Sequence, residues 1–288
     1  MNKIYNIIEN ELNIKIKSAH SVGGGCINDA EIITDNDNKS YFLKKNLYSP
    51  TDMFFKEANG LNELNKAKAI RVPKVIFVSE KFLLLENISP STKSKNFFEN
   101  FGRAFARLHK FKSNEFGFFE DNYIGSTPQV NIPDEDEKYD WKKFYLNKRI
   151  IFQYHLIEKA GYSDESLRKY LRNIEDNIDI ILDGSENFPS LLHGDLWSGN
   201  YITDQFGQAC LIDPAVYYGN READLAMTKL FGGFSSDFYK AYQEEFPLPP
   251  GFEYRENIYK LYHVMNHLNL FGGGYYNQTI SLMKFYYK

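Results

Sequence analysis

An Asp stands five positions ahead of an Asn in Leu191-Leu192-His193-Gly194-Asp195-Leu196-Trp197-Ser198-Gly199-Asn200, and a second Asp closes the run Leu211-Ile212-Asp213-Pro214. That ordered set suits phosphoryl transfer. One loop carboxylate, Asp195, takes the proton of an attacking hydroxyl, while Asn200 and Asp213 offer oxygens to magnesium; the rest is positioning and charge neutralisation. His193 reads as the residue that orients this loop. Asp and Asn also favour loops for local reasons, but a chance pairing would not bring His193 and an apolar run ending in an acid with it.

Such a site needs a cation for the phosphates and a backbone that can approach them. Lys44 and Lys45 end the segment Tyr41-Phe42-Leu43, and Glu57 follows in the next helical stretch. Strand alternation lets only one of the two lysines face a cleft, and the apolar register leaves both open. Gly23-Gly24-Gly25-Cys26 lies between two strand patterns, where glycine allows close backbone approach to phosphate. Cys26 reads either as a small residue in a tight turn or as a redox-responsive thiol favoured by amides and a nearby lysine. Glu86-Asn87-Ile88 falls where a connector would offer backbone groups to an adenine.

The elements that must carry these residues follow from periodicity. Residues 14 to 45 read as three strands broken by the glycines and by Asp35-Asn36-Asp37-Asn38, Met53 to Leu64 as one helix, and Val75–Val78 and Phe82–Leu85 as two further strands. Phe97, Phe101, Phe105 and Leu108 share a helical face and read as core. Residues 113 to 140 read as a long loop containing a solvated acidic run, Asp134 to Glu137. Helices are expected over 141–160, 163–182, 221–231, 234–245 and 255–288, with a hairpin at 201–212 around Gln205-Phe206-Gly207. The result is an α+β chain: a β-rich lobe with one helix over 1–88 and a larger helical lobe over 89–288.

Length and composition bound the partners. The 288 residues, 43% of them hydrophobic, suffice for a sizeable core. A net charge of -4 gives no support to nucleic-acid binding. The first residues lack a signal-peptide core, and no run approaches the roughly 20 apolar residues of a membrane span, so a cytoplasmic protein is expected. Two cysteines, Cys26 and Cys210, make neither a disulfide framework nor a metal-ligand spacing.

The chain closely resembles the fructosamine kinases, or ketosamine 3-kinases, a branch of the protein-kinase-like bilobal fold shared with aminoglycoside and choline kinases. The His-Gly-Asp, Asn and Asp pattern is common to that whole superfamily. The narrower likeness lies in Gly23 through Asn28, Phe116-Gly117-Phe118, Asp121 through Gly125, Thr127-Pro128-Gln129, Leu191 through Asn200, Ile212 through Met227, Leu230 through Phe234, and Leu261 through Tyr275. The resemblance implies a five-stranded antiparallel sheet, ATP and Mg2+ as cofactors, and Lys44 rather than Lys45 as the phosphate lysine, with Glu57 as its partner. It implies phosphorylation of the 3-hydroxyl of a ketosamine, a free or protein-bound glycated amine, whose phosphate then eliminates and frees the amine. Bacterial members lean to ribulosamines and erythrulosamines over fructosamines. Kinases of aminoglycosides, choline or sugars, and a catalytically silent nucleotide-binding protein, are the competing readings. One departure concerns the substrate: Asn131-Ile132-Pro133 lacks the tryptophan usual there, and an acidic insertion spans 132–139. Trp197, Asp224 and His267 are the positions that could meet the substrate's amine or hydroxyls, or serve structure.

Overall fold

The computed structural model describes residues 3–23, 29–48 and 50–287. Helix α1 (Lys3–Leu12) precedes five strands, β1 (Ile16–Val22), β2 (Asp29–Asp35), β3 (Ser40–Lys45), β4 (Val75–Val78) and β5 (Phe82–Glu86), with α2 (Met53–Lys66) between β3 and β4. The strands form one antiparallel sheet in the order β1-β2-β3-β5-β4. Helix α1 was not expected. Its Ile4 and Ile8 cover the outer face of the sheet at Ile33, Tyr41, Leu43 and Leu84. Both faces of the sheet are therefore covered, which is why β3 reads apolar at consecutive positions.

The helical part begins with α3 (Phe97–Lys110), whose Phe101 and Phe105 meet Phe238 at ring distances of 5.2 and 5.8 Å. The stretch expected to be one long loop contains a hairpin, β6 (Asn122–Ile124) and β7 (Thr127–Gln129). Three-residue strands are too short for alternation to reveal. The acidic run is only partly solvated: Glu137 is buried, taking hydrogen bonds from Asn147 at 2.8 Å and from the Asp134 backbone at 2.8 Å through its two oxygens.

Residues 141–159 form α4 (Trp141–Tyr145), a π-helical turn at Leu146–Ile151, and α5 (Phe152–Lys159). Asp140 caps the first of these through the N–H groups of Lys142 and Lys143. Then come α6 (Glu165–Ile181), β8 (Ser190–Leu192), β9 (Tyr201–Thr203), β10 (Ala209–Leu211) and β11 (Tyr217–Gly219). Strand β8 pairs with β11, and β9 with β10, so two short ribbons bracket the Asp195 loop and the Asp213 turn. The chain closes with α7 (Arg221–Leu230), α8 (Ser236–Glu245), α9 (Phe252–Phe271) and α10 (Tyr276–Lys284). The single helix expected from 255 onward breaks at Gly272, which has φ +85°.

The larger apolar core runs across the sequence boundary at residue 88: Phe54, Ala58 and Leu61 of α2 and Leu83 and Leu85 of β5 pack in one cluster with the helices that follow. No helix among the described residues is long and apolar enough to cross a membrane.

Candidate active site

Strand β3 delivers Lys44. Alternation puts Tyr41, Leu43 and Lys45 on the α1 side of the sheet and Phe42 and Lys44 on the other. Lys45 accordingly binds Glu31 at 2.6 Å, and Tyr5 of α1 donates to the same carboxylate at 2.7 Å. Lys44 lies 2.6 Å from Glu57 of α2 and 2.5 Å from Asp213. Burial alone would lower the Lys44 ammonium, but the charges of Asp213 and Glu57 outweigh it and raise the group above its ordinary value. Burial raises the Glu57 carboxyl, against the pull of Lys44.

Asp213 adopts φ +55°, a left-handed conformation that costs a non-glycine residue about 1 kcal/mol or more. Its neighbours hold it there. Ala215 N–H donates to His193 O at 2.9 Å, and Gly194, at φ +82°, crosses so close that a Cβ would sit 1.9 Å from Ala215 O. Glycine is therefore required at 194, and the Asp195 loop and Asp213 turn form one interlocked unit.

His193 is fully buried and neutral, its titration pushed down by burial. Its Nε2–H donates to Ile212 O at 3.0 Å while Nδ1 accepts the Asp195 N–H at 3.3 Å, so the ring fastens one loop to the other. Asn200 Nδ2 donates to Asp195 Oδ2 at 3.1 Å and to Asp195 O at 2.8 Å, which turns the Asn200 Oδ1 away from the protein donors. Burial pushes the Asp195 carboxyl well above the usual carboxylate range; the Asp213 charge adds to this and Asn200 opposes it. A carboxylate so placed accepts a proton more readily than an exposed one.

Of its two readings, Asp224 has the geometry of the structural one: it is 1% exposed beneath the loop, with Oδ2 accepting His193 N–H at 2.6 Å and Oδ1 accepting Gly194 N–H at 2.8 Å. His109, in turn bound to Tyr242, approaches Asp224 at 3.3 Å. His109 carried no chemical signal in the sequence. The signal for burial at Asp224 is an acid set among Ala223, Leu225 and Ala226.

Trp197, 37% exposed, meets Phe231 edge-on at 6.0 Å, and Phe231 meets His267 at 4.9 Å. Phe271 and Tyr275 extend this row of rings from His267 at 5.5 and 5.1 Å. His267 Nδ1–H donates to His263 O at 2.8 Å. The connector places Glu86 in an ion pair with Arg71 at 2.7 Å, and its N–H bonds Lys74 O at 2.8 Å, so Glu86 itself is engaged, unlike the backbone of Asn87 and Ile88. Gly23 is exposed, with open space around it; Gly24, Gly25 and Cys26 lie outside the described residues.

Among the described residues no three His, Cys, Asp or Glu side chains gather to hold an ion. Asn200 and Asp213 offer one amide oxygen and one carboxylate, an oxygen of which already meets Lys44. That donor set fits magnesium, which keeps several waters and shares phosphate oxygens with its nucleotide.

The fructosamine kinase family model matches residues 1–288. The chain is 38% identical over 279 residues to the chloroplastic protein-ribulosamine 3-kinase of Oryza sativa subsp. japonica, covering 94% of this chain and 79% of the relative. It is 40% identical over 268 residues to a probable ketoamine kinase of Vibrio parahaemolyticus, covering 90% and 88%. A candidate fructosamine-3-kinase structure from Thermobifida fusca superimposes with a TM-score of 0.89 at 26% identity over 99% of both chains. An ADP-bound aminoglycoside phosphotransferase shares the fold at TM-score 0.63 and 14% identity, covering 98% and 97%. The interlocked loops thus stand in a kinase fold matched from end to end, and the chain belongs to the fructosamine kinase family.

Proposed function

We propose that the protein transfers the γ-phosphate of ATP to the 3-hydroxyl of ketosamines such as ribulosamine, erythrulosamine or fructosamine adducts, leading to release of the amine. The observation that carries this reading is the Lys44 ammonium held between Glu57 and Asp213, with Asp195 fixed by Asn200 on the facing loop.

Lys44 binds the nucleotide phosphates and Glu57 keeps its ammonium pointed into the cleft. The backbone of the Gly23-Gly24-Gly25 turn and of Asn87 and Ile88 serves phosphates and adenine. Asn200 and Asp213 would hold Mg2+, which would supply neutralisation of phosphate charge. Asp195 takes the proton of the substrate hydroxyl as the hydroxyl oxygen forms its bond to phosphorus and the ADP oxygen leaves. Trp197 and His267 line the substrate side: an aromatic face suits the protonated amine of a ketosamine, and the free Nε2 of His267 suits a hydroxyl. The relatives' names, ribulosamine 3-kinase and ketoamine kinase, support the substrate class.

ATP consumption against ribulosamine, erythrulosamine, fructosamine, choline and an aminoglycoside tests the reading. Turnover is expected with the ketosamines. Turnover with choline or the aminoglycoside alone would overturn it.

A further inference from the structure

The segment 116–131 carries no catalytic group, yet it touches both halves of the phosphate site. Gln129 donates to Ala215 O at 3.0 Å and to Asn122 Oδ1 at 2.8 Å, while Asn122 donates to Val216 O at 2.7 Å. These bonds grip the backbone two and three residues beyond Asp213. Tyr262 donates to Gln129 Oε1 at 2.7 Å, which fixes the amide's orientation and ties the grip to α9.

The same segment reaches α2. Tyr123 O–H donates to Asp52 at 2.8 Å, just before the helix, and Asn59 donates to Glu120 at 2.8 Å. One turn further on, Tyr218 O–H donates to Glu63 at 2.8 Å, and Tyr218 is itself joined to Gly117 by two backbone bonds of 2.8 Å. Positions 52, 56, 59, 60 and 63 lie on one helical stripe. Lys56 stands 5.2 Å from the Tyr123 ring centre, and Gly60 packs close to the Asp213 turn: a Cβ there would sit 3.3 Å from Val216 Cγ2 and 3.6 Å from Pro214 Cγ. Glycine weakens a helix interior, and close approach is what it permits here.

We infer that the β6–β7 hairpin with Tyr218 is an interlobe clasp, holding α2 and the Asp213 turn in one register so that Glu57 and Asp213 meet Lys44 together. Tyr123, Gln129 and Tyr218 are then positioning residues for nucleotide binding. A helix so fastened keeps its glutamate paired without any further activating event. The inference rests on the assignment of Lys44 and Glu57 to phosphate binding.

The test compares KM for ATP, kcat and melting temperature in Tyr123→Phe/Tyr218→Phe, which removes two hydroxyls and keeps both rings, in the wild-type and Glu57→Gln backgrounds. The clasp predicts KM for ATP up by about five- to tenfold in the first background with kcat changed by less than about twofold. In the second background the same pair changes it by less than about twofold, because the two act through one interaction. An unchanged KM with a lowered melting temperature, or an equal rise in both backgrounds, overturns the clasp. Glu57→Gln without effect on KM for ATP would remove the phosphate-site assignment instead, and the inference with it. Asn59→Ala, at a half-exposed position, is read in the same way should the double variant not fold.

Discussion

The Asn200 side chain donates to Asp195 twice, at 3.1 Å to the carboxylate and at 2.8 Å to the carbonyl. One residue therefore sets both the rotamer of the Asp195 carboxylate and the curvature of the loop that carries it. Its amide nitrogen is spent on this task, which leaves the oxygen for the cation proposed above.

Asp195→Asn preserves the shape of that arrangement and removes the proton acceptor. The expected result is a fall in kcat of about 10²-fold or more with ADP affinity retained, measured by steady-state turnover and by nucleotide titration. Near-normal turnover would take Asp195 out of the base role.

Lys44 and Lys45 adjoin in sequence and have separate tasks. Lys44→Ala leaves Glu57 and Asp213 without their shared cation, an effect of about 3 kcal/mol on nucleotide binding or stability. Lys45→Ala loses a partly exposed pair with Glu31, worth about 1 kcal/mol at most, and leaves KM for ATP unchanged. Equal effects on KM for ATP would contradict the register of β3.

Trp197→Ala and Asp224→Asn separate the proposed substrate face from the loop's support. The first is expected to raise KM for the ketosamine by about tenfold while sparing KM for ATP. The second keeps one acceptor oxygen but sets an amide donor against the other of the two backbone N–H groups, and should lower kcat and stability together, the latter by about 2 kcal/mol. Substrate titration and thermal unfolding of both variants decide.

Stability should fall in mild acid. Burial pushes His263 down from its ordinary 6.5 to about 3, and lowers His109 and His193 as well. A histidine depressed in the folded state binds its proton first in the unfolded chain. Its contribution is complete above about pH 6.5 and is lost as pH falls toward 3, at up to about 1.4 kcal/mol per pH unit for each group. Chemical denaturation from pH 7.5 to 5 should show this slope, and His263→Asn should flatten it; a slope unchanged in that variant would show His263 to be uninvolved.

Much of the site was legible because its parts are local. Asp195 and Asn200 share one loop, Asp213 ends an apolar strand, and the resemblance singled out Lys44 and Glu57. Three features were not. The hairpin at 122–129 has strands too short for periodicity and is stabilised by amide contacts to Ala215 and Val216, 86 and 94 residues away. Asp224 stands open to either substrate or structure until the loop above it is in place. Helix α1 does carry Ile4, Ile8 and Leu12 at helical spacing, a signal left unread; what the sequence does not show is the sheet face it covers.

The amino-acid sequence by itself determined which groups are present and in what order: the carboxylates Asp195 and Asp213, the amide of Asn200, the lysine pair and Glu57, on strands and helices whose periods are local. The tertiary structure alone decided which way they face. Phe42 and Leu43 are both apolar because the sheet is covered on both sides, so β3 carries no internal sign of which lysine enters the cleft. The packing of α1 on one face and α2 on the other settles it, turning Lys45 to Glu31 and Lys44 to Glu57 and Asp213. Period-2 geometry assigns residues to faces, and only long-range burial says which face is the site.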